Sequence, residues 1–88
     1  MGKASIHIAL ADAQYLTRAG LRQLFAAQPQ LRVVGEATDA EELSSLLSRD
    51  SPHILIIDHQ SSPEFSLEFL LKLHSAHPEL KLMLVTDD

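Results

Sequence analysis

Four apolar runs, IHIALA, LRVVGEA, HILII and LKLMLV, are separated by stretches whose apolar residues recur at helical spacing. This alternation constrains the fold more than any single residue, because strands joined through helices pair in parallel by right-handed crossovers. Ile6, Ile8 and Leu10 alternate with His7, Ala9 and Ala11, the period of a strand. From Tyr15 to Ala27 the period becomes helical, with Leu16, Ala19, Gly20, Leu24 and Ala27 on one face and Arg18, Arg22 and Gln23 mostly off it. Pro29 stops that helix. LRVVGEA reads as a second strand, and Thr38-Asp39-Ala40-Glu41 has the form of a capping box opening a helix that buries Leu43, Leu46 and Leu47. Pro52 closes that region. HILII is apolar without alternation, as suits a central strand covered on both faces. Ser62-Pro63 reads as an N-cap with Pro at the first helical position, before a helix that presents Phe65, Phe69, Leu70 and Leu73 and ends before Pro78. LKLMLVT is the fourth strand, and the order is βαβαβαβ.

At 88 residues the chain has room for one domain. It has no cysteine, which excludes a disulfide framework and a thiolate metal site. No apolar stretch approaches the roughly 20 residues needed to span a bilayer, and the N-terminus lacks the form of a signal peptide, so a cytoplasmic protein without a membrane partner is expected. The net charge is −5 and the seven Lys and Arg residues are scattered, which argues against direct binding to nucleic acid.

In a parallel α/β sheet, ligands bind in the crevice beyond the carboxyl ends of the strands. Asp12 follows IHIALA, Asp58 follows HILII, and Thr86 follows KLMLV, so two carboxylates and a hydroxyl are expected at one edge. That set suits a phosphoryl-accepting, cation-assisted site. Each residue also has a plainer reading. Asp58 could cap a loop, Asp12 could serve a turn or a helix cap, and a lone Thr at a strand end is commonplace. His74 and His77, three apart on a helix, have no third ligand in view, so a solvated helix end is the simpler reading. His59 reads as a loop residue beside Asp58.

The segments IHIALADAQYLTRAGLRQLF, LRVVGEATDAEELSSLL, SPHILIIDH and HPELKLMLVT together resemble the receiver domain of response regulators, in particular the N-terminal domain of LuxR/NarL-type transcription factors. The resemblance runs from Ser5 to Thr86. It implies a flavodoxin-like (CheY-like) three-layer α/β sandwich with a parallel sheet, here truncated after the fourth strand in the order 2-1-3-4. On this reading residues 1–88 are a single receiver-domain fragment, β1-α1-β2-α2-β3-α3-β4, without the last helix–strand–helix and the DNA-binding output domain. The resemblance makes Asp58 the phosphoacceptor served by a histidine kinase. It makes Asp12, Asp58 and the backbone carbonyl of Gln60 the ligands of Mg²⁺, and Thr86 the hydroxyl that senses the phosphoryl group. It implies phosphorelay signalling rather than a conventional enzyme, and contact with DNA only through an absent helix-turn-helix domain.

The sequence departs from the family pattern at several positions. Ala13 stands where the second acid belongs, Ser61-Ser62-Pro63 and Ser66 replace the usual loop after the phosphoacceptor, and Asp87 stands where a small residue is usual. Two unit charges about 4 Å apart at an effective dielectric near 20 repel by about 4 kcal/mol, so Asp87 is a possible modifier of the site. The family's lysine has no counterpart in the chain. Ala13, Asp87 and the altered loop support an alternative: a degenerate receiver acting as a phosphorylation-independent interaction or dimerisation module. Aspartyl-phosphate hydrolase chemistry fits less well, because Asp58-His59-Gln60 lacks a second Asp two residues on. A fourth strand without a fifth beside it leaves an apolar edge, LMLV, and self-association through that edge is expected.

Overall fold

The computed structural model describes residues 5–85. Its elements are β1 (Ile6–Ala11), α1 (Tyr15–Ala26), β2 (Leu31–Ala37), α2 (Ala40–Arg49), β3 (Ile54–Ile57), α3 (Leu67–Ala76) and β4 (Lys81–Leu84). The strands form one parallel sheet in the order β2-β1-β3-β4, the arrangement expected from the sequence.

Side chains alternate across the sheet and build two cores. On one face Ala9, Ala11, Ala37, Leu55 and Ile57 meet Leu43, Leu46 and Leu47 of α2, Leu70 and Leu73 of α3, and Phe65. The alanines leave room for the large residues opposite them. Gly35 serves the same close approach, since a Cβ there would run into the Leu46 side chain. On the other face Ile8, Leu10 and Ile56 are covered by α1 through Leu21 and Phe25. α1 therefore turns a different side to the sheet from the one its apolar spacing suggested. Leu16 is 81% and Leu24 62% exposed, while the Arg18 side chain is only 12% exposed. The helix carries two apolar stripes, and the one bearing Leu21 and Phe25 packs on the sheet.

Local chemistry moves two helix starts from their expected places. The capping box on α2 is shifted by one residue. Asp39 is the N-cap and accepts from the Glu42 N–H at 2.8 Å, while the Glu42 carboxylate accepts from both the N–H and the hydroxyl of Thr38 at 2.7 Å. Those two bonds hold the Glu42 carboxyl below the usual range. The Glu64 carboxylate caps the same helix end, accepting from the Ala40 N–H at 2.9 Å. α3 does not start at Ser62-Pro63. The Ser62 hydroxyl accepts from the Glu64 N–H and the Ser62 carbonyl from the Phe65 N–H, a turn that drops Phe65 into the core; the helix then begins at Leu67 with Ser66 as N-cap.

The sheet has unlike edges. β2 carries a bulge, because Ile8 pairs with Val33 and the next residue, Ala9, pairs with Gly35, leaving Val34 over. β4 is regular and, among the described residues, pairs with β3 alone.

Candidate functional site

Asp12 and Asp58 leave the ends of adjacent strands, so the β1–β3 pairing itself brings them together. The Asp12 N–H donates to the Ala37 carbonyl and the Asp58 N–H to the Ala11 carbonyl, both at 3.0 Å, so each residue continues its strand's ladder by one step. Asp12 is 1% exposed, the one charged residue among the described residues that is buried. Its Oδ1 accepts from the Gln14 N–H at 2.7 Å, and its Oδ2 is buried with no hydrogen-bond partner. Burial pushes the Asp12 carboxyl above the usual carboxylate range; the Gln14 bond and Arg18 pull the other way, while the adjoining Asp58 carboxylate adds to the rise.

Asp58 is half-buried, and its Oδ1 accepts from the Gln60 N–H at 3.1 Å, which folds the loop so that Gln60 stays beside it. Ser61 closes the site between the two strand ends. Its hydroxyl donates to the Asp58 carbonyl at 2.7 Å and accepts from the Ala13 N–H at 3.0 Å. In the sequence Ser61 stands out only as a departure from a pattern. A hydroxyl three residues after Asp58 was the available signal, but its second partner lies 48 residues away in the chain.

The structure thus brings Asp12, Asp58 and Gln60 together, with Ala13 beside them. Thr86 and Asp87 lie outside the described residues. His59, next to Asp58, is half-buried, and His74 and His77 sit at the far end of α3, one exposed and one at its C-cap. Among the described residues no three metal-ligating side chains of the His, Cys, Asp and Glu type form a cluster. Two carboxylates and a main-chain carbonyl are hard oxygen donors, and the unpartnered Asp12 Oδ2 is a buried acceptor that a divalent cation would satisfy, so the donor set fits magnesium. Among the same residues no helix is long and apolar enough to cross a membrane.

No family model matches the chain. It is 34% identical over 86 residues to an uncharacterized transcriptional regulatory protein, YxjL, of Bacillus subtilis (strain 168), an alignment covering 98% of the chain and 39% of that relative. The chain thus spans about two fifths of the relative's length. Among solved structures, the non-phosphorylated receiver domain of the stress response regulator RcsB from Escherichia coli superposes with a TM-score of 0.88 at 21% identity, over 96% of the chain and 66% of that domain. A LuxR-family two-component response regulator from Aurantimonas sp. SI85-9A1 superposes with a TM-score of 0.81 at 25% identity, over 92% of the chain and 58% of that protein.

Proposed function

We propose, from the premise that the chain belongs to the receiver-domain family of LuxR-type two-component response regulators, that Asp58 is its phosphoacceptor and that Asp12, Asp58 and the Gln60 backbone carbonyl hold Mg²⁺ beside it. The observation that carries this reading is the buried Asp12 carboxylate, one oxygen without a partner, set against Asp58 at the carboxyl edge of the sheet. A fully buried acid with an unmet acceptor costs the fold stability, and such groups concentrate where chemistry requires them. When bound, the cation supplies neutralisation of the phosphoryl oxygens.

In the transfer itself an Asp58 carboxylate oxygen attacks phosphorus in line. The new O–P bond forms as the P–N bond to the donor's imidazole breaks, and the imidazole takes up a proton. The Gln60 N–H holds the Asp58 carboxylate in its orientation, and Ser61 keeps the two strand-end loops from parting. Ala13 removes one carboxylate from the donor set, so the cation is held more weakly than by a full acidic pair. We assign Thr86 as the phosphoryl-sensing hydroxyl and Asp87 as a modifier of access. In the whole protein the donor would be a histidine kinase, and the output a DNA-binding helix-turn-helix domain controlling transcription. The reading as a degenerate interaction module is less favoured, because the chain's relatives include a transcriptional regulatory protein and a response regulator.

The test is the intact mass after incubation with a small-molecule phosphodonor and Mg²⁺, with Asp58→Ala beside it. One added phosphoryl group, absent from the variant, is expected. Equal labelling of both, or of neither with the fold verified, would remove Asp58 from the role.

As partner for the edge strand we propose a second copy of the chain. β4 is the unbulged edge, and Met83 and Leu84, which point to opposite faces of the sheet, are 54% and 49% exposed. Sedimentation should show a concentration-dependent dimer that Met83→Lys abolishes; a monomer at every concentration would dismiss it.

A further inference from the structure

We propose that Arg18 is a positioning residue for the acidic pair, clamping the main chain of Asp12 from the α1 face of the sheet and held in turn by Glu36. The inference rests on the reading of Asp12 and Asp58 as the working site. Asp12 stands where β1 becomes loop, and the direction of its carboxylate follows from how its peptide groups are fixed. Its N–H is tied to Ala37 of β2. Its carbonyl accepts from Arg18 Nη1 at 2.8 Å, the one side chain among the described residues bonded to the Asp12 main chain.

Arg18 is in turn fixed in place. Its Nε donates to Glu36 Oε1 at 3.2 Å, while Arg22 Nη1 reaches the other oxygen of Glu36 at 2.9 Å. Glu36 is the cross-strand partner of Leu10 and so lies on the α1 face, one residue before Ala37. The guanidinium also packs 5.7 Å from the centre of the Tyr15 ring. A carboxylate bond and a carbonyl bond use two arms of the planar fork while its carbon lies over the Tyr15 ring, an arrangement a lysine ammonium cannot reproduce.

The charges agree with this role. Arg18 and Arg22 share one carboxylate, Glu36, and leave one positive charge over on the side of the sheet end that Asp12 shares with Arg18. The Asp12 carboxylate lies within reach of that charge. A nearly buried arginine is costly unless every partner is in place. Here the partners are Asp12, whose buried Oδ2 has no hydrogen-bond partner, and Glu36 on the neighbouring strand. The line Glu36–Arg18–Asp12 therefore makes β2 and α1 the support of the acidic edge.

The experiment uses Arg18→Met, Arg18→Lys and Glu36→Gln with two readouts. The first needs no cation: hydrogen exchange at the Gln14 amide, which is protected by its bond to Asp12 Oδ1. The second is the Mg²⁺ dissociation constant from calorimetry. Loss of an orienting partner typically weakens a metal site by about 10- to 100-fold. Arg18→Met should therefore speed Gln14 exchange about tenfold relative to the β3 amides and weaken Mg²⁺ binding by a similar factor, with smaller shifts in Arg18→Lys and Glu36→Gln. Native Gln14 protection in a folded Arg18→Met chain would overturn the proposal. So would a uniform speeding of all amides in all three variants, which marks a merely structural residue. A native chain that takes up no Mg²⁺ would sink the proposed cation site alone, and the Gln14 readout would still decide the role of Arg18.

Discussion

Replacing Asp12 by Asn is expected to leave the chain more stable, by about 1–2 kcal/mol at neutral pH, while ending magnesium-dependent labelling of Asp58. The amide keeps an oxygen for the Gln14 N–H and turns an NH₂ donor towards Asp58, where the native carboxylate has an unpartnered oxygen and a like charge. Its pH dependence has a definite sign. The folded-state value is raised above the ordinary 3.8, so below 3.8 the group is protonated in both folded and unfolded chains and native and variant should differ least. As pH rises from there through the raised folded value, the unfolded chain gives up its proton first. The native protein loses stability relative to the variant over that window, and the gap is complete above it. Urea denaturation at several pH values measures this directly. An Asp12→Asn variant less stable than native at neutral pH would mean that Asp12 is a structural cap. Gain of stability with loss of function is the expected pattern for a residue kept for its chemistry.

Phe65→Ala should have the largest effect on folding, costing about 3–5 kcal/mol. Phe65 is fully buried between the sheet and the two helices on that face, and its ring lies 6.1 Å from that of Phe69. Small domains hold about 5–15 kcal/mol in total, so the variant should be close to unfolding at room temperature. Leu71→Ala is the matched control. Leu71 is exposed on α3, and its loss should shift the urea midpoint little, within about 0.5 kcal/mol. A Phe65→Ala cost as small as that of Leu71→Ala would show that the loop after Asp58 is not anchored by this ring.

The strand order and the meeting of Asp12 with Asp58 were legible in the sequence, because both depend on hydrophobic period and on polar residues placed at run ends. Arg18 was not. A short helix with leucines on two sides presents two acceptable faces, and the partner of Arg18, Glu36, lies in another element. The start of α3 at Leu67 differs from the expected one for a related reason. Ser62-Pro63 and Ser66 both satisfy the local rules for a cap, and only the burial of Phe65 decides between them. The α2 cap lies one residue from the expected one, because Asp39 and Thr38 are both good caps and Glu42 bonds with each. The Ser61 clasp joins loops that only the finished sheet brings together.

The two faces of the sheet differ in how they are held. α2 and α3 bury leucines in a continuous core, whereas α1 buries no residue completely and is fastened by Leu21, Phe25 and the arginines on Glu36. In an equilibrium of partial openings, the helix with the fewest buried apolar contacts detaches first. α1 is then the outermost cooperative unit. Its excursions would release Arg18 from Asp12 while the strands stay paired, so the acidic edge inherits the breathing of one helix rather than the stability of the whole domain.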